Sequence, residues 1–247
     1  MPPRGPPTEK EILNIARRTT DIIENYITSN LYIFGSAASY LWTDIDRLPN
    51  VRSFILSPCP TSQHHPQDID FAVWDEDEYL DPEYVKQSIV HADDRYYLEP
   101  SRRIGATHDI LYCRLPGWST DPLCRRLKID ILVPPTLNLP EIGTFERLTI
   151  ANLPVMPLLD LLVIKTQGWW DHSTSERADY RAKVAADVSD IYALLDRASL
   201  EEDAEDLVEV WASKRTSEFT NYGFNLARRF VRTYRQPEKW RRLGFPL

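Results

Sequence analysis

The sequence predicts an α+β fold in which a mixed sheet with flanking helices is followed by a helical C-terminal domain. In the first half, short apolar or alternating segments typical of strands are interspersed with segments of helical periodicity. In the second half, we find only helical periodicity. The boundary is placed near residue 153, so that the predicted domains span residues 1–153 and 154–247.

The elements of the first half can be assigned in order along the chain. Strands are predicted at 31–34, 68–74, 96–98, 109–115 and 127–133. Helices are predicted at 9–26, at 37–42 and at 81–92, the last opening with Asp81 as its cap and Pro82 at its first position. Residues 45–66 are rich in proline and are predicted to form a loop insertion.

The second half contains only segments with apolar residues at helical spacing. They lie at 157–170, 181–197, 201–213 and 217–234. The longest apolar run, Leu158–Ile164, is interrupted by Asp160 and is far shorter than the roughly 20 residues that span a bilayer. We therefore expect no membrane partner.

Three cysteines follow no metal-ligand spacing, and the proline-rich N-terminal segment does not resemble a secretory signal. These features predict reduced, structural thiols and a cytoplasmic location, with a nuclear one left open. The net charge of −8 disfavours nonspecific coating of nucleic acid. The segment from Lys214 to Arg242 is the exception, because it contains nine basic and two acidic residues.

Three aspartates on two predicted strands are the candidate catalytic residues. Asp68 and Asp70 alternate with Ile69, so both carboxylates face the same side of their strand. Asp130 is the single acid in an apolar strand, where a lone carboxylate is costly without a partner. If the two strands are neighbours, the three carboxylates form a cluster that suits Mg²⁺ or Mn²⁺. An Asp-x-Asp pair taken alone is more often two ordinary surface residues, and Asp130 taken alone is equally well explained as a capping or ion-paired residue.

Gly35 and Ser36 lie where the first predicted strand meets a helix. Glycine permits a sharp turn and close approach of a phosphate, and the amides at a helix N-terminus bind anions. A simple strand-to-helix turn capped by Ser36 is the alternative.

The order strand, Gly-Ser, helix, Asp-x-Asp strand and later single-Asp strand resembles the DNA polymerase beta-like nucleotidyltransferase superfamily. The resemblance covers about residues 10–135. It implies that Gly35 and Ser36 hold a nucleoside triphosphate such as ATP, and that Asp68, Asp70 and Asp130 bind the metal. The stretch between Ser36 and Asp68 exceeds the usual spacer of this superfamily, which is why we expect an insertion at 45–66.

The composition and the proline-rich loops of the chain are similar to those of fungal members of the superfamily. The helical half is similar to that of small nucleotidyltransferases of the abortive-infection-toxin type. This resemblance implies that Lys165 contacts the triphosphate and that Asp187 or Asp190 orients the triphosphate or the base. An ion pair between a lysine and an aspartate of two helices explains the same residues without a nucleotide.

Together these features predict a metal-dependent transferase that moves a nucleoside monophosphate from a triphosphate to a hydroxyl or phosphate and releases pyrophosphate. The acceptor is expected to be RNA or tRNA, bound by Arg228, Arg232 and Arg235 on one helix face, or a small molecule such as an aminoglycoside. The basic face is equally well explained by pairing with the acidic segment 201–209. The alternatives are a non-catalytic nucleotide- or protein-binding module and a toxin-like modifier of tRNA or protein.

Overall fold

The computed structural model describes residues 6–44, 68–76, 80–102, 105–115 and 125–247. These residues divide into two compact units. The first comprises 6–38 and 68–156, and the second comprises 39–44 and 157–247. The division falls between Met156 and Pro157, just after the predicted domain boundary. The predicted insertion at 45–66 lies outside the described residues.

The first unit is built around a mixed sheet of seven strands within the described ranges. The strands are β1 (Leu31–Phe34), β2 (Asp68–Val73), β3 (Tyr96–Pro100), β4 (Asp109–Arg114), β5 (Arg126–Leu132), β6 (Leu148–Ile150) and β7 (Leu153–Val155). Their spatial order is β3-β4-β5-β2-β1-β7-β6. The β2–β5 and β1–β7 pairs are parallel, and the other neighbours are antiparallel. The predicted combination of a mixed sheet with helices is therefore present.

The helices α1 (Glu9–Tyr26) and α3 (Pro82–Ala92) cover one face of this sheet. The Thr19 hydroxyl of α1 lies 2.9 Å from the Tyr96 hydroxyl of β3 in the buried layer. The beginning of α1 is held by Arg125, just before β5, whose guanidinium donates to the Glu11 carboxylate at 2.6 Å. This hydrogen bond lowers the pKa of Glu11 to about 2 although burial acts in the opposite direction.

Two differences from the prediction concern the helix that follows β1 and the last two strands of the sheet. The helix expected at 37–42 begins at Gly35 and is α2 (Gly35–Asp44). The strands β6 and β7 were not predicted, because each has three residues and β7 contains Pro154. Cys113 is buried in β4, and burial raises the pKa of its thiol to about 12, as expected for an unreactive structural cysteine.

The second unit consists of helices. They are α4 (Leu158–Thr174), α5 (Ala178–Arg181), α6 (Val184–Ala198), α7 (Leu207–Ser213), α8 (Ser217–Tyr234) and α9 (Pro237–Arg242). Helix α4 packs against α6 and α8, with Trp169 and Phe230 in the aromatic core between α4 and α8. The helix predicted at 201–213 begins only at Leu207, and residues 201–206 form turns. Across the described ranges, the helices lack the combination of length and apolar character needed to cross a membrane.

The charged residue that interrupts the apolar run of α4 is fully buried. The Asp160 carboxylate accepts hydrogen bonds from Arg215 Nε at 2.8 Å and Nη2 at 2.7 Å, and from Trp211 Nε1 at 2.8 Å. The side chains of Asp160 and Arg215 are 0% and 4% exposed. A buried carboxylate requires such charged and hydrogen-bonding partners, and here they connect α4 to α7 and the residues that follow it.

Candidate metal centre

The parallel pairing of β2 with β5 brings the three predicted aspartates together. Asp70 lies directly beside Asp130 in this register, and Asp68 lies beside Lys128. On the opposite side of β2, Asp70 is paired with Phe34, the last residue of β1. Because side chains alternate along a strand, the aspartates share one sheet face, whereas Ile69 is buried on the other.

The carboxylates of Asp68, Asp70 and Asp130 each offer an oxygen atom within 4.8 Å of the other two, and all three residues are half-buried. Octahedral Mg²⁺ binds oxygens at about 2.0–2.1 Å, which places its ligand atoms roughly 3–4 Å from one another. Small side-chain rotations are therefore enough for these residues to hold one ion, and three carboxylates are also a donor set for two ions. The oxygen-only donor set suits Mg²⁺ or Mn²⁺.

Lys128 belongs to the same cluster and was not predicted. Its ammonium donates to Asp130 Oδ2. Burial lowers the pKa of Lys128, but the carboxylate of Asp130, with smaller contributions from Asp68 and Asp70, more than offsets this and raises it. One ammonium leaves the three carboxylates with an excess of negative charge, as a divalent cation site requires. The two-residue spacing of Lys128 and Asp130 was the sequence signal that both share a face.

Gly35 lies against the centre of the cluster. Its backbone has φ +68°, and a Cβ atom at this position would lie 2.0 Å from Asp70 Oδ2. Glycine is therefore required both by the left-handed conformation and by the position of the Asp70 carboxylate. Ser36 follows as the second residue of α2, so the Gly-Ser pair adjoins the aspartates at the end of β1.

The other two predicted site residues belong to the second unit. Lys165 Nζ donates to Asp190 Oδ2 at 2.7 Å, which is the ion pair between helices α4 and α6 that the sequence left as an alternative. Asp187 contacts His172 instead, with 2.6 Å between Oδ2 and Nδ1. A role of Lys165 and Asp187 in nucleotide binding stays a prediction.

A scan against protein-family models finds no match for this chain, and a search of curated proteins likewise finds no significant relative.

Proposed function

We propose that the chain is a metal-dependent nucleotidyltransferase that transfers a nucleoside monophosphate from a triphosphate to an acceptor hydroxyl or phosphate. The observation that supports this most strongly is the convergence of Asp68, Asp70 and Asp130 on one sheet face, next to Gly35. The resemblance to the DNA polymerase beta-like superfamily was based on these same residues. A non-catalytic binding module has no need of all three acids together with a glycine that accommodates Asp70.

In this proposal, each part of the site has a separate task. The Gly35-Ser36 turn and the first amides of α2 hold the β- and γ-phosphates of the donor. The three aspartates hold Mg²⁺ or Mn²⁺, which when bound neutralises charge on the phosphates. The acceptor oxygen forms a bond to the α-phosphorus while the bond to pyrophosphate breaks, and Asp130 takes the acceptor's proton. The rate enhancement comes from the fixed positions of the reacting groups and from the charges around them, rather than from covalent catalysis by the protein.

The acceptor proposed here is RNA, including tRNA. Arg228, Arg232 and Arg235 follow one another along the last turns and the C-cap of α8, and Arg232 and Arg235 are exposed. Among the residues that the structure describes, these arginines have no acidic partner, so the pairing with the segment 201–209, which the sequence left as an alternative, is not seen. Arginines outside ion pairs are suited to phosphate recognition.

The decisive measurement is pyrophosphate release from each of the four ribonucleoside triphosphates with Mg²⁺ or Mn²⁺. The acceptor panel contains tRNA, other RNAs and aminoglycosides, because a small-molecule acceptor is the rival. Metal-dependent release that requires an RNA supports the proposal and identifies the nucleotide. Release only with an aminoglycoside would retain the reaction and reject the RNA acceptor. The absence of both release and triphosphate binding would reject the proposed function.

Replacing Gly35 with Ala should lower turnover by about 10²-fold, because the new Cβ displaces the carboxylate of Asp70. The matched control is Gly105→Ala. Gly105 also has a positive φ of +81°, but a Cβ there meets no atom within 4 Å. Both variants should lose about 1–2 kcal/mol of stability through backbone strain, measured by denaturant unfolding. Only Gly35→Ala should lose activity, and equal turnover of the two variants would contradict the assigned role of Gly35.

A further inference from the structure

Lys128 completes a square of charged side chains on the sheet face of the aspartates. In the parallel register of β2 and β5, Asp68 lies beside Lys128, and Asp70 lies beside Asp130. Paired residues point to the same face of a sheet, and so do positions two apart on one strand. Three corners of the square are therefore acidic and the fourth is basic. The ammonium of Lys128 extends along β5 and donates to Asp130 Oδ2.

The ion pair of Lys128 is confined to this square. Within the part of the chain that the structure describes, Asp130 supplies the one carboxylate that accepts from the Lys128 ammonium. Arg126, the neighbouring basic residue on the same face of β5, is instead tied to Glu99 at 2.6 Å. The positive charge of Lys128 is thus directed at the candidate metal ligands and is not shared with a second ion pair.

An ammonium and a metal ion compete for the charge of one carboxylate. Asp130 accepts from Lys128, and a divalent cation held by the three aspartates would draw on the same carboxylate. The two cations also repel each other. At a separation of about 5 Å in a water-like medium, the repulsion between charges of +1 and +2 corresponds to roughly 10- to 20-fold in a dissociation constant. Lys128 is half-buried, so the medium around it screens no better than water.

We propose that Lys128 sets the metal affinity of this site, because it competes with Mg²⁺ or Mn²⁺ for Asp130 and keeps the ion weakly bound. The inference rests on the proposed function for the metal site, and it adds the residue that limits how tightly the metal is held. The three acids and the lysine of the square carry a net charge of −2, which one divalent ion balances. A weakly held ion exchanges with the ion in solution, so that the activity follows the metal concentration.

The test measures metal binding and needs no turnover. Mn²⁺ is titrated into the full chain without a triphosphate, and free Mn²⁺ is measured by electron paramagnetic resonance. Lys128→Met removes the charge and keeps the length of the side chain, so the dissociation constant for Mn²⁺ should fall by about 10-fold. Lys128→Arg keeps the charge and should bind Mn²⁺ as the unmodified protein does. Lys10→Met removes the same charge from an exposed position of α1 and, as the matched control, should leave the affinity unchanged.

Thermal unfolding separates this competition from a purely structural role of Lys128. Lys128→Met should lower the melting temperature without metal, because the variant loses a cation that offsets the repulsion among three carboxylates. The increase that Mn²⁺ produces should be larger in Lys128→Met than in the unmodified protein, because tighter binding to the folded state stabilises it more. A purely structural role would lower the melting temperature equally with and without Mn²⁺.

Three results would overturn the proposal. They are an unchanged Mn²⁺ affinity in Lys128→Met, an equal gain in Lys10→Met, and weaker binding in Lys128→Met, which would make the lysine a support of the ligand geometry. Mn²⁺ binding by neither the unmodified protein nor Lys128→Met would overturn it as well.

The same titration separates this inference from the proposed function. If Lys128→Met binds Mn²⁺ more tightly but the unmodified protein transfers no nucleotide to any acceptor, the proposed function fails while the role of Lys128 in metal binding stands. If the unmodified protein transfers nucleotides and the Mn²⁺ affinity of Lys128→Met is unchanged, the proposed function stands and this inference fails.

Discussion

Asp70→Asn should abolish nucleotidyl transfer and leave the protein folded. Asp70 is the middle residue of the cluster, paired with Asp130 on one side and adjoining Gly35 on the other. The amide keeps the shape of the side chain but removes the negative charge that a metal ion requires. Turnover should fall by at least about 10²–10³-fold, the size of effect seen when one group that stabilises a transition state is lost.

The same substitution should have a different effect on stability. Three carboxylates within 4.8 Å of one another repel, so removal of one charge leaves the metal-free melting temperature unchanged or raises it. Mn²⁺ should raise the melting temperature of the unmodified protein, because it binds only the folded state, and this increase should be absent in Asp70→Asn. Asp21→Asn is the matched control, since Asp21 is an exposed acid on α1. Full turnover in Asp70→Asn would remove this residue from the mechanism.

Asp160→Ala should be the most destabilising single substitution proposed here. It leaves the Arg215 guanidinium and the Trp211 indole N–H buried without the carboxylate that accepts from both. Removing one partner of a buried ion pair costs about 3–5 kcal/mol, because the remaining charge stays desolvated. Urea unfolding monitored by tryptophan fluorescence measures the loss.

Two further variants separate the buried pair from a general effect of charge. In the double variant Asp160→Leu/Arg215→Met, both charges are replaced by apolar groups, and much of the stability should return. Asp179→Ala breaks the exposed pair between Asp179 and Arg177 and should leave the unfolding midpoint unchanged. If Asp160→Ala and Asp179→Ala behaved alike, the buried pair would not stabilise the second unit.

Local sequence patterns predicted the elements whose boundaries depend on local chemistry. Strand β1 is four apolar residues ended by a glycine, and α3 opens with the Asp81 cap and Pro82. Both elements begin where the sequence predicted. The helix expected to begin at residue 201 lacks apolar residues at regular spacing in its first turns, and it begins only at Leu207. Strand β6 pairs with β7, and β7 pairs with β1. No local sequence pattern reveals these pairings.

The candidate site was predictable to the extent that it depends on alternation within a strand. Asp68 and Asp70 share a face for this reason, and β5 places Asp130 beside them through a register that only the folded sheet defines. Lys128 could have been included by the same alternation. The pairing of β2 with β5 could not be predicted, because the two strands are distant in sequence. The partners of Lys165 and Asp187 likewise depend on how α4 and α6 pack.

The alternation in β2 and β5 also limits how this site can change during evolution. Ile69 and Ile129 are fully buried next to the acidic positions, so an acid that moved by one residue toward either of them would enter the core. A carboxylate can therefore migrate along these strands only in steps of two residues. One step beyond Asp70 and Asp130 lie Ala72 and Leu132, and Ala72 is already buried. Evolutionary change at this site is therefore limited to substitutions at fixed positions of β2 and β5. A new substrate specificity must come from substitutions in the strands and loops around these positions.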